Sequence, residues 1–238
     1  MRLGQSLSQL NSPDRPASVI PFLESGDRLS RAEFERRYQA MPYLKKAELI
    51  EGVVYVASPL RFESHAEPHS NLITWLVTYK SATPGVRVGD NPTVRLDLDN
   101  EPQPDAVLLI DESAGGQTRI SEDDYVEGAP VLVVEIAASS ASIDLNDKKR
   151  VYRRNGVLEY IVWRVLERQV DWFRLEAEEY VKLESDSAGV LKSQIFPGLW
   201  LAVDPLIADD MARVLAVLQE GIQSPAHRAF LAQLAQPK

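Results

Sequence analysis

The 238-residue sequence contains no cysteine, which excludes a disulfide scaffold, a thiolate zinc site and a cysteine nucleophile. A chain without thiols suits a reducing compartment, so a cytoplasmic, unexported protein is expected. No uncharged apolar run approaches the ~18 residues of a membrane span, and the stretch from Met1 to Gly26 lacks the apolar block of a secretory signal. Positive charge is also in short supply. With 26 Lys+Arg against 35 Asp+Glu the net charge is -9, which opposes any surface that attracts phosphate as a whole. Histidine is limited to 3 residues, and a three-His zinc site would need His227 from the far C-terminal region. His65 and His69 lack the Glu directly after the first His that a metalloprotease helix requires. The sequence has no Walker loop, Gly-x-Gly-x-x-Gly or Gly-x-Ser-x-Gly, so nucleotide hydrolysis, a nucleotide cofactor and α/β-hydrolase chemistry lack their basic parts. Asp97-Leu-Asp99-Asn-Glu101 begins like a calcium loop, but Pro102 stands at the sixth position and Leu108 at the twelfth.

What is present is a chain 45% hydrophobic, enough to bury a core at ~100–200 residues per domain. Ser30 with Glu33 and Ser64 with Glu67 read as capping boxes, each opening a helix. The second helix carries His65, His69, Leu72, Leu76 and Tyr79 on one face. Ala47 to Ile50 and Val53 to Ala57 read as a hairpin turned by Glu51-Gly52. Thr93 to Leu98 alternates like a half-buried strand, Asp105 to Ile110 is a nearly unbroken apolar strand, and Asp111 to Gly128 reads as a loop. Val131 to Ala137 reads as a central strand covered on both faces. Asp144 with Asp147 caps a helix that Asn155-Gly156 ends. Val157 to Trp163 is again strand, Val170 to Leu175 and Tyr180 to Leu183 form a hairpin, and Asp204-Pro205 opens a last amphipathic helix. This order predicts a mixed α/β sheet flanked by helices, with added hairpins.

Glu135 interrupts a strand that otherwise demands burial, and a buried unpaired carboxylate costs several kcal/mol. Either an ion pair or a wet edge position compensates it, or it ligates a cation together with Asp105 on the preceding strand. Two carboxylates at matching heights repel unless a divalent ion or a shared proton relieves them, and Mg²⁺ or Mn²⁺ suits such oxygen donors. Lys148 lies on the helix face of Leu145 and Tyr152 and is read as an inward ammonium or a solvated one. Alternation sets Glu48 and Leu49 on opposite faces, with Glu48 expected in solvent. The basic run Lys149, Arg150, Arg153 and Arg154 is either a solvated helix face or a phosphate-binding patch.

In order, Ala47-Glu-Leu-Ile-Glu-Gly52, Ser58-Pro59, His65, Pro104-Asp105, Val134-Glu135-Ile136, Asp144…Asp147-Lys148…Tyr152 and Gly156-Val157…Glu159-Tyr160 resemble the Uma-two family of putative restriction endonucleases in the PD-(D/E)XK nuclease superfamily. The similarity runs from about Glu33 to Asp204. It implies a restriction-endonuclease-like core in which Asp105 and Glu135 hold Mg²⁺ or Mn²⁺, the Ile136 carbonyl adds a ligand and Lys148 assists the attack. Glu48 and His65 border the site, and Tyr152 supports it. The superfamily's Lys two residues after the acidic ligand is replaced here by Ala137, so Lys148 on the next helix must take over. The implied partner is DNA, bound by a monomer or a homodimer, with no membrane. The implied division is an extension over 1–28, a nuclease-like domain over 29–204 and a helical extension over 205–238. Two other readings stay open, a non-catalytic binding module on the same fold and a carboxylate-pair glycoside hydrolase. The latter needs an open aromatic cleft, whereas Trp163, Trp172, Phe173 and Trp200 read as core.

Overall fold

The computed structural model describes residues 20–236, so the first nineteen residues of the expected N-terminal extension lie outside the described residues. Chain order is α1 (Arg31–Gln39), β1 (Ala47–Ile50), β2 (Val53–Val56), α2 (Glu67–Ser81), β3 (Val86–Asp90), β4 (Val94–Arg95) and β5 (Ala106–Ile110). Next come β6 (Arg119–Ile120), β7 (Val126–Glu127), β8 (Leu132–Ala137), α3 (Ala141–Ile143), α4 (Lys149–Arg154) and β9 (Glu159–Arg164). The chain finishes with β10 (Gln169–Glu176), β11 (Glu179–Lys182), β12 (Val190–Lys192), β13 (Trp200–Ala202), α5 (Val203–Ile207), α6 (Met211–Ile222) and α7 (Pro225–Leu234). Among the described residues no helix is long and apolar enough to cross a membrane.

The central sheet has the order β11-β10-β9-β8-β5-β3. Strands β8 and β9 pair in parallel, joined by the helical stretch that ends in α4, and the remaining pairs are antiparallel. Alternation along β5 and β8 splits the core into two layers. Ala106, Leu108, Leu132, Val134 and Ile136 face α2 and the C-terminal helices, whose Leu72, Trp75, Leu76, Val214 and Leu218 cover them. Val107, Leu109, Val133 and Ala137 face Tyr152 and Val157 on the opposite side. Trp163, Trp172 and Phe173 are buried in the core, whereas Trp200 is half-buried against it and lines a shallow cleft with Lys192 and Arg213. The two sides of the sheet thus place Asp105 and Glu135, in phase with Val107 and Val133, beneath the α3–α4 stretch.

Several local expectations change. The hairpin turn is as expected, with Glu51 and Gly52 both at positive φ, 50° and 72°, the two-residue geometry that matches strand twist. Gly156 ends α4 at φ 83°. Neither predicted capping box closes: Ser30 makes no side-chain cap bond, and Ser64 sits inside a π-turn (Phe62–Ala66) that precedes α2. The sheet's edge strand is β3, in a stretch with no strand signal, while Thr93 to Leu98 contributes only the short β4. Paired β6 and β7 fall inside the expected loop. The last helix is three helices, because Asp209 at φ 60° breaks the first and Asp210 caps the next through Arg213 N–H. Residues 20–28 are packed too, with Leu23 buried and Gly26 N–H donating to the Val54 carbonyl at 2.9 Å.

Candidate active site

The site is assembled where the C-terminal end of β8 meets the start of β5, and the register explains it. Ala106 lies opposite Val134, so one step farther Asp105 lies beside Glu135 on the same face. Ile136 N–H donates to Asp105 Oδ2 at 2.7 Å, which fixes one carboxylate oxygen to the neighbouring strand. Asp105 and Glu135 are each only 3% exposed.

Above them the helix through α3 and α4 is interrupted by a second π-turn (Asp144–Lys148), a distortion that often accompanies functional side chains. It turns both Asp144 and Lys148 inward, and both are buried. Lys148 Nζ stands 2.8 Å from Glu48 Oε1, 3.0 Å from Glu135 Oε1 and 3.7 Å from Asp144 Oδ1. Tyr152, one turn on, donates its hydroxyl to Glu135 Oε1 at 2.8 Å. Glu48, expected in solvent, is largely covered, because the β1–β2 hairpin docks through the Leu49–Glu101 bridge and Glu48 Oε1 accepts the Gln103 N–H at 2.8 Å.

Asp105 is met on its other oxygen by groups from the N-terminal half. Lys46 Nζ donates to Oδ1 at 3.1 Å, and His65 Nε2 lies 3.5 Å away, buried and with no hydrogen-bond partner. His69 Nε2 lies 3.0 Å from both the Asp105 carbonyl and Asp90 Oδ1. Burial acts to raise the Asp105 pKa, but the His65 imidazole, the Lys46 ammonium and the Ile136 amide hold it well below the usual carboxylate range. Glu135 moves the other way. Burial pushes it up, Lys148 opposes, and the Asp144, Asp105 and Glu48 charges add to the rise. Asp144 is raised for the same first reason. Lys148 is raised well above its ordinary value, the surrounding carboxylates outweighing burial.

The cluster therefore joins Glu48, His65, Asp105, Glu135, Lys148 and Tyr152 and adds Lys46 and Asp144. Lys46 was missed because, beside Lys45 and ahead of a strand, it reads as a solvated charge. Asp144 reads as a helix cap in the sequence, but it begins the π-turn and is buried beside Lys148. The basic run is not brought to the site as free charge. Arg150 and Arg154 pair with Glu51, Arg153 with Glu179, and Lys149 lies over the Phe173 ring at 3.5 Å.

Four carboxylates, Glu48, Asp105, Glu135 and Asp144, face two ammonium groups, an excess of two negative charges when all are ionised. Hard oxygen donors with that excess fit one divalent cation of the Mg²⁺ or Mn²⁺ type, and the unpartnered His65 Nε2 beside Asp105 is a further donor. Among the described residues no group of three or more such ligands forms a ready-made cage. Lys46 and Lys148 stand between the carboxylates instead, pairing with Asp105 and with Glu48 and Glu135.

A family model, Uma2, described as "Putative restriction endonuclease", matches residues 31–204. Among solved structures, the chain is similar to "a putative nuclease belonging to DUF820" from Anabaena variabilis ATCC 29413. That likeness has a TM-score of 0.55 at 15% identity and covers 73% of this chain and 96% of that chain. It shows a shared α/β fold with a mixed sheet flanked by helices. A search of curated proteins finds no match.

Proposed function

Since the chain belongs to the Uma2 family, described as "Putative restriction endonuclease", we propose that it hydrolyses phosphodiester bonds of DNA with a Mg²⁺ or Mn²⁺ ion. Asp105 and Glu135 hold that ion in this reading, joined by the Ile136 carbonyl. The observation that carries the proposal is the convergence of four buried or largely covered carboxylates, Glu48, Asp105, Glu135 and Asp144, around two ammonium groups at the strand ends. Bound there, the cation supplies Lewis-acid polarisation of a phosphate oxygen and a more acidic water.

The protein's own part is positioning. The Ile136 N–H fixes the Asp105 carboxylate in the sheet, so its orientation does not depend on a ligand. Tyr152 and Lys148 together hold Glu135 Oε1, and Lys148 ties the hairpin through Glu48 to the helix. Lys148 assists by keeping three carboxylates converged at low cost in repulsion. Both edges of the central sheet, β11 and β3, lack an outer strand partner among the described residues, and a homodimer would extend the sheet through one of them.

Glu135→Ala is expected to abolish Mn²⁺ binding in a calorimetric titration and nicking of plasmid DNA with it. Unchanged metal affinity contradicts the ligand assignment. A wild-type protein that leaves plasmid intact in Mn²⁺ is a non-catalytic module on the same fold.

A further inference from the structure

The two ammonium groups of the site are differently placed, and the difference assigns their tasks. Lys148 is enclosed: its side chain is 5% exposed, and its Nζ is shared among Glu48, Glu135 and Asp144. Reaching a substrate phosphate would strip all three carboxylates of their counterion. The Lys46 side chain is 21% exposed, and its ammonium has looser partners, Asp105 Oδ1 at 3.1 Å and the exposed Asn91 Oδ1 at 3.4 Å. Its backbone is anchored by the Ala57 N–H, which donates to the Lys46 carbonyl at 3.1 Å, so the mobile part is the four-carbon stem at the rim of the site.

Charge around the rim points the same way. The arginines of α4 are all neutralised by Glu51, Glu179 and Asp147. Lys45, next to Lys46, and Arg61, four residues before His65, are exposed and form no ion pair among the described residues. These two side chains add unpaired positive charge on the Lys46 and His65 side of the site.

Resting on the nuclease reading, we propose that Lys46 is the lysine that contacts the scissile phosphate. In the free protein it screens Asp105 by occupying Oδ1, the oxygen the Ile136 amide leaves open. Lys46 would then compete with a cation held by Asp105, and the displaced ammonium would be free to reach substrate.

Lys46→Ala and Lys46→Arg separate this from a structural role, with wild type alongside. Three readouts are used: Mn²⁺ calorimetry without DNA, anisotropy of fluorescein-labelled DNA in Ca²⁺ across a salt series, and plasmid nicking in Mn²⁺. Lys46→Ala is expected to bind Mn²⁺ at least as tightly as wild type, having lost the competitor. It should bind DNA more weakly, with a salt slope smaller by about one, and nick at least about 100-fold more slowly. Lys46→Arg should recover the salt slope. Loss of Mn²⁺ affinity in Lys46→Ala makes Lys46 a prop for Asp105 and overturns the proposal, as does nicking within about 3-fold of wild type. Those outcomes leave the nuclease reading intact, because wild type still cleaves. A wild type that neither binds Mn²⁺ nor nicks takes both down.

Discussion

Glu135 on β8 and Glu159 on β9 are buried carboxylates on neighbouring strands of one sheet, at 3% and 0% exposure, and they are compensated in opposite ways. Glu159 points to the α2 side and is satisfied by neutral dipoles. Its Oε1 accepts the Gln194 and Ile195 N–H groups at 2.7 and 3.2 Å, and its Oε2 accepts the Ser193 hydroxyl at 2.7 Å. No Lys or Arg pairs with it among the described residues, and its job is to pin the 193–196 loop to the sheet. Glu135 points to the α4 side and is surrounded by groups that can themselves gain or lose charge. Burial raises the pKa of both. What separates a structural acid from a chemical one here is whether the compensating partners are fixed or exchangeable.

The comparison breaks most visibly at Lys148. Lys148→Ala leaves Glu48, Glu135 and Asp144 without their common cation and should cost about 3–5 kcal/mol, measured by urea unfolding. The loss should shrink as pH falls, because protonating those acids removes the repulsion. Glu159→Ala should cost about 3 kcal/mol by orphaning two amides and a hydroxyl, yet leave Mn²⁺ affinity unchanged. Reduced metal binding in that variant would erase the distinction drawn between the two acids.

A third buried acid sharpens the point. Burial and the neighbouring Glu35 carboxylate raise the Glu101 pKa to about 8, against Arg95 and Arg31, so the folded protein holds a proton that the unfolded chain releases near 4.5. The folded state then binds more protons between those values, and stability falls as pH rises from about 4.5 toward about 8. The expected decline is several kcal/mol, and Glu101→Gln should flatten that part of the stability–pH curve. The smallest effect is expected at Tyr152→Phe, which removes one hydrogen bond to Glu135 while Lys148 remains, costing about 1 kcal/mol in thermal unfolding.

How much of this was legible follows from the range of the signals. Strand β8 announced itself through an unbroken apolar run, and Glu135 stood out against it; Asp105 followed from the strand before. β3 did not, since Val86-Arg-Val-Gly-Asp90 has an exposed Arg and a Gly, and becomes a strand by pairing with β5. Glu48 was placed in solvent by alternation, which counts faces but not what docks on the outer one. Lys46 and Asp144 belong to the site through contacts 59 residues away in one case and through a π-turn in the other, neither of which leaves a periodic trace.

Local composition and periodicity determined the layers and the two acids on adjacent strands, because burial and turn formation act over a few residues. Which cations meet those acids, and which side of the site stays open, was decided only by tertiary packing. That choice depends on hairpin docking and helix distortion, where energies of a few kcal/mol are shared among residues far apart in the chain.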